Sequence, residues 1–206
     1  MSSEIKNIAI IGGDLHAWSL ATGLLLGLGK EVSITVIDDT QTELPAVVCL
    51  DLTAHAFHRK LGIQEQILVT NLGGSYCFGN RYLGFREHDF TYSYSPVGKM
   101  LDRISFHDYL SYLKQSGEPV KYADFSIASM AAHENKFTHP QPNTPIEHLD
   151  YSMQLDSLRY LHFLRSSATK NGVKHLKSTV ASSESDVASN IERLELANSV
   201  SIECDF

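Results

Sequence analysis

Asn7-Ile8-Ala9-Ile10-Ile11-Gly12-Gly13-Asp14-Leu15-His16-Ala17-Trp18 decides how this chain is read: an apolar run breaks at paired glycines and resumes with helical spacing. Strand, tight turn and helix, in that order, open a βαβ nucleotide-binding unit. In such a turn the first glycine lets the chain reverse, the second lets backbone approach a pyrophosphate, and the third lets the helix pack closely on the strand. Here those three places hold Gly12, Asp14 and Ala17. Gly12 fits, and Ala17 is small enough for close packing. Asp14 instead adds a side chain and a negative charge at a helix N-terminus, the place where exposed backbone N–H groups would attract phosphate.

The following helical pattern (Trp18, Leu20, Ala21, Leu24, Leu25, Leu28) stops at Gly29, and Val32 to Asp39 reads as a second strand ending in acid. Asp38 lies roughly 20 residues past the glycines, where a carboxylate accepts hydrogen bonds from the adenosine ribose hydroxyls of a dinucleotide. The pattern points to FAD or NAD. A phosphate-free Rossmann-like half, with Asp38 only closing the strand, is the other reading of the same residues.

A chain of 206 residues, 43% hydrophobic and 20% charged, has enough apolar material for one sizeable core. Its net charge of −7 argues against capture of nucleic acid or an anionic membrane surface, and the basic cluster from Lys170 to Lys177 reads as a solvated helix end and turn. Three cysteines, Cys49, Cys77 and Cys204, form no CxxC pair, so neither a disulfide framework nor a cysteine zinc site is expected. Reduced thiols in a cytoplasm fit that pattern. His55 and His58 could share a metal at i,i+3, but two histidines with no third ligand do not make a site, and no metal is expected. There is no run of the ~18 apolar residues a membrane span needs.

Further along, Leu50 to Gly62 has helical spacing and a second helix starts near Gln64. Phe90, Tyr92 and Tyr94 alternate with Thr91 and Ser93 as in a half-buried strand. Phe106 to Lys114 reads as helix, and Asn135 to Pro145, with three prolines, as a loop. Met153 to Arg165 reads as one amphipathic helix closing at Asn171-Gly172, followed by a strand over Val173 to Val180. Asp186 to Leu196 and Ser199 to Phe206 read as two strands around a turn at Ala197-Asn198. Residues 75 to 150 therefore look like a sheet, helix and loop segment inserted into a single nucleotide-binding domain spanning 1 to 206. The chain stops in apolar strand texture, so part of that domain is expected to lie downstream.

In this order the motifs resemble the N-terminal half of the flavin-dependent tryptophan halogenases. The family's GGGTAGW turn is matched by Gly12 to Trp18, and its LGI segment by Leu61-Gly62-Ile63. Tyr94-Ser95-Pro96-Val97-Gly98 is similar to its YHPFG, and Phe106-His107-Asp108-Tyr109-Leu110 to its FHxYWL helix. Asp156 to Val173 resembles FDAxLYARFLRxxAxxxGV, and Ile202 to Phe206 resembles the strand that runs on into DLFIDCSG. The resemblance implies an α/β, Rossmann-like FAD-binding domain of the GR2, aromatic-hydroxylase type with an inserted β-rich segment, C-terminally incomplete. It implies FAD contacts at Gly12, Gly13, Asp14, His16, Ala17, Asp38, Asp39 and Val180. It also implies a flavin reductase as partner and an indole as substrate.

Two departures accompany these matches. Leu44 to Cys49, with no glycine, stands where the family has its flavin-lining GVGEAT loop, and Cys77 stands where counting from Leu61-Gly62-Ile63 places the relay lysine. The WxWxIP motif and second catalytic acid belong beyond residue 206. No catalytic residue is therefore assigned to this chain. The expected function is the FAD-binding portion of a halogenase-like or monooxygenase-like enzyme, inactive in isolation. A degenerate relative acting as a binding or regulatory module is the alternative, and an NAD-dependent Rossmann enzyme a third reading.

Overall fold

A computed structural model describes residues 5–39, 43–85, 89–187 and 190–205. Its elements are, in order, β1 (Asn7–Ile11), α1 (Leu15–Leu28), β2 (Ser33–Ile37), β3 (Val47–Cys49), α2 (Ala54–Lys60), α3 (Glu65–Leu72), β4 (Ser75–Cys77), β5 (Gly79–Tyr82) and β6 (Phe90–Ser93). They continue with α4 (Phe106–Gln115), α5 (Ile127–His133), β7 (Ser152–Asp156), α6 (Ser157–Lys170), β8 (Lys174–Leu176), β9 (Val180–Ser185), β10 (Ile191–Leu196) and β11 (Ser201–Glu203). The chain divides into two compact units: Met1–Val48, Ala56–Gly73 and Leu155–Phe206 form one, and Cys49–His55 with Gly74–Gln154 the other.

The first unit is built on a parallel sheet of order β1-β2-β8. Asn7 to Ile11 lie opposite Ser33 to Ile37, and Thr35 to Ile37 opposite Lys174 to Leu176. Two parallel strands need a crossover, which α1 supplies from a start capped by Asp14 to an end capped by Gly29. The helix packed against α1, α6, begins with the Asp156 carboxylate accepting from Arg159 N at 2.9 Å. Trp18, Ala21, Val36 and Leu164 are fully buried where α1, α6 and the sheet meet. A second, antiparallel sheet of order β11-β10-β9 contributes Leu194, Leu196 and Cys204 to an apolar cluster with Ile37.

In the second unit, Ser75 to Cys77 pair antiparallel with Gln154 to Ser152, and β5 and β6 form a hairpin with Gly79 opposite Ser93. Phe78, Ala128 and Leu149 form its core, flanked by Tyr76 and Phe137 stacked at 3.9 Å.

Several elements differ from their sequence reading. The helix expected from Leu50 starts at Ala54, because the Asp51 carboxylate accepts from Thr53 N and Ala54 N and so caps it there. Met153 to Arg165 is not one helix: Ser152 to Asp156 is a strand, and α6 begins after Asp156. Met153 and Leu155, both with no exposure, are the buried alternate positions of that strand. The strand read over Val173 to Val180 is two, because the chain leaves the parallel sheet after Leu176 and Val180 starts the antiparallel one. Asp186 to Leu196 is likewise a strand only from Ile191. The half-buried strand β6 is present as read, and it is Ser93 that is buried while Phe90 and Tyr92 are exposed. No helix among the described residues is long and apolar enough to cross a membrane.

Candidate functional site

The turn between β1 and α1 is the first place where these elements bring chemistry together. Gly12 takes φ +129°, a backbone conformation that suits glycine, and its N–H donates to Ile37 O at 2.9 Å, tying the turn to the end of β2. Gly13 is required for a different reason. A Cβ at Gly13 would fall inside the Asp38 carboxylate, so glycine is what lets that acid lie against the turn. Asp38 is fixed from its other side by its backbone N–H, which donates to Leu176 O at 2.9 Å. Its side chain is only 9% exposed, with His175 Nε2 at 3.9 Å from Oδ2.

His175 was not a sequence candidate, since only the pairing of β8 beside β2 brings it here, opposite Val36. It packs edge-on against Trp18 at 5.1 Å. Burial, then Arg165, holds its pKa below the usual histidine value, with Asp38 opposing the shift. The imidazole is therefore held toward its neutral form.

Asp14 lies at the N-cap of α1, and its Oδ1 accepts from Ala17 N at 2.9 Å. That backbone bond is the main cause holding its carboxyl below the usual value, with His16 helping. Oδ2 lies 3.2 Å from His16 Nδ1, and the His16 ring stands almost wholly in solvent. Ala17 is buried beneath Gly12, at 3.9 Å from where a Gly12 Cβ would stand, which is the close packing its small side chain permits. Asp39 is exposed one residue beyond the acid, and Val180 packs against the Ile37 and Leu196 cluster at the start of β9.

Gly12, Gly13, Ala17 and Asp38 thus meet at one turn, with the carboxylate and backbone arrangement that would hold an adenosine ribose. The residues fit the adenosine end of a dinucleotide. At the pyrophosphate end a carboxylate already takes one of the helix's free N–H groups.

The other expected features belong to other elements. Leu44 to Cys49 includes the short strand β3. Cys77 is half-buried in β4, and burial, together with neighbouring Cys49, pushes its thiol pKa up, against hydrogen bonding from Tyr94. His58 Nε2 lies 2.8 Å from Tyr160 Oη, whose own pKa burial pushes up to about 12, and His55 Nε2 lies 3.0 Å from Tyr151 O. Each imidazole is thereby engaged in packing. The described residues contain no group of three or more His, Cys, Asp or Glu side chains arranged to hold a metal.

The chain is similar to BrvH, a flavin-dependent halogenase from Brevundimonas sp. BAL3, with TM-score 0.86 and 22% identity over 98% of this chain and 41% of that one. It is similar to Xcc4156, a flavin-dependent halogenase from Xanthomonas campestris, with TM-score 0.87 and 23% identity over 98% and 41%. The tryptophan 6-halogenase SttH from Streptomyces toxytricini aligns with TM-score 0.79 and 17% identity over 98% and 43%. At these identities the likeness is one of fold, and the chain spans about two fifths of the length of those proteins. No curated protein sequence matches it. The α/β fold is that of the FAD-binding halogenases, of which this chain carries an incomplete portion. The family profile for tryptophan halogenase matches residues 7–206, and the chain belongs to that family.

Proposed function

We propose that this chain is the FAD-binding portion of a flavin-dependent halogenase-like oxidoreductase acting on an aromatic, indole-type substrate, and that it does not halogenate on its own. The observation that carries the reading is the Gly12-Gly13 turn closed over the Asp38 carboxylate, on a chain of this family. Gly12, Gly13 and Ala17 would let the dinucleotide backbone approach, and Asp38 would accept from the ribose hydroxyls. FAD held there in its reduced form would supply electrons for the reduction of dioxygen, the chemistry by which the halide would be oxidised to hypohalous acid. A flavin reductase is the partner that would deliver it.

Inactivity in isolation rests on Cys77. A thiol whose pKa is raised is neutral at pH 7, and a neutral thiol cannot replace an ammonium in holding a halogen. The same residue favours a second reading, in which the chain is a non-catalytic relative serving as a binding module. Incubation of the purified chain with FAD, a flavin reductase, oxygen, bromide and tryptophan separates enzyme from non-enzyme. The expected result is no brominated tryptophan by mass spectrometry, and its appearance would overturn the proposal.

A further inference from the structure

The N-terminus of α1 differs from a free phosphate seat in one respect, and the difference is chemical. Helix N-termini attract phosphate because their first backbone N–H groups have no partner within the helix. Here the third of them, from Ala17, already donates to Asp14 Oδ1 at 2.9 Å, and the first turn of the helix holds no acidic side chain besides this cap. Asp14 Oδ2 has His16 as its neighbour at 3.2 Å, so the carboxylate sits between the helix end and solvent, on the approach a phosphate would use. A second carboxylate, that of Asp38, lies against Gly13 in the same turn.

We infer that Asp14 is the resident anion of this helix end, an intramolecular competitor for the pyrophosphate that sets the affinity of the site for FAD. The inference rests on the proposed FAD-binding reading and adds a residue-level determinant of its affinity. It has a consequence that a merely structural role lacks: the Asp14 carboxylate acts oppositely on folding and on ligand. As an N-cap it stabilises α1. As a charge it repels phosphate, and the repulsion is absent for ligands without one.

Three variants and two ligands test this on the full 206-residue chain. Asn caps a helix about as well as Asp, so Asp14→Asn removes the charge and keeps the cap. Asp14→Ala removes both, and Asp14→Glu keeps the charge. Dissociation constants are read from flavin fluorescence for FAD and for riboflavin, which has the same ring and no phosphate, and Tm is read without ligand. Asp14→Asn is expected to bind FAD about tenfold more tightly or better at low salt, with the gain shrinking as salt screens it. Its Tm and its riboflavin affinity should stay at the wild-type values. Asp14→Ala should bind FAD more tightly while its Tm falls by roughly 2–4 °C. Asp14→Glu should gain nothing. Equal FAD affinity in wild type and Asp14→Asn overturns the competitor role and leaves the FAD-binding reading standing. If all variants fail to bind FAD while unfolding cooperatively, the FAD-binding reading falls and the inference falls with it.

Discussion

Gly13→Ala tests the geometry of the turn directly. An alanine Cβ at this position would lie closer than 3.0 Å to three atoms of Asp38, two carboxylate oxygens and the carbon between them, a range real Cβ atoms essentially never enter. Asp38 cannot simply swing into water, since its side chain is 9% exposed and has His175 on its other side. Either the carboxylate leaves its rotamer or the turn shifts away from β2, where Gly12 N bonds Ile37 O. Overpacking of this kind costs about 1–3 kcal/mol. With a urea slope of about 2 kcal/mol/M, a loss of about 2 kcal/mol lowers the unfolding midpoint by about 1 M at unchanged slope. Gly27→Ala is the internal control: a Cβ there meets nothing within 4 Å in the exposed last turn of α1, so replacing the flexible glycine should raise stability by about 0.4–1 kcal/mol. Urea unfolding followed by circular dichroism reads both. The reasoning is refuted if Gly13→Ala unfolds at the wild-type midpoint, or if the two substitutions shift it in the same direction.

Leu164→Ala, at a position with no exposure on α6, should cost about 2–5 kcal/mol by urea unfolding, and a cost under about 1 kcal/mol would contradict the packing of α1 on α6. Under native conditions at about pH 8, a thiol reagent should label exposed Cys49 first, half-buried Cys77 more slowly because burial disfavours its thiolate, and buried Cys204 last; mass mapping of the labelled peptides checks the order. Stability should fall with acid in two windows. The folded His175 pKa lies below 6.5, so its contribution is full above pH 6.5 and is lost as pH falls through the folded value, and His175→Gln should flatten that part of the profile. Asp14 likewise contributes above pH 3.8 and loses its contribution as pH falls through its lower folded value, so Asp14→Ala should flatten the most acidic part.

The features legible in the sequence are those with local causes. The glycine pair, the helix from Leu15 to Leu28 and its stop at Gly29 follow from turn and cap chemistry within a few residues, and α3 begins where the pattern after Gln64 places it. Asp38 was legible as the acid ending β2, because the spacing of a βαβ unit is set by helix and strand lengths. What failed was decided by partners distant in sequence. Met153 and Leu155 have the spacing of one strand face, but the buried Leu161 and Leu164 that follow carry the helical period, and the strand shows only through the pairing of Ser152 to Gln154 with Ser75 to Cys77. Phe90 and Tyr92 alternate as expected, yet the small Thr91 and Ser93 side chains take the inner face, which hydrophobicity alone would not choose. His175 could be found only through the β2 to β8 register. Asp14 was legible as an obstacle to phosphate, whereas its use as the cap of α1 needed the 2.9 Å bond to Ala17.

The most direct test of the FAD-binding account is thermal unfolding of the chain across a wide range of FAD concentrations, alongside Asp14→Asn. A ligand that binds only the folded state raises apparent stability by RT ln(1 + [L]/Kd), about 1.4 kcal/mol at about ten times Kd, or roughly 3–6 °C for a chain of this size. The account predicts a rise that follows this logarithmic form in both proteins and sets in at lower FAD concentration in Asp14→Asn. A cooperative transition that stays fixed at every FAD concentration, in both proteins, would contradict it.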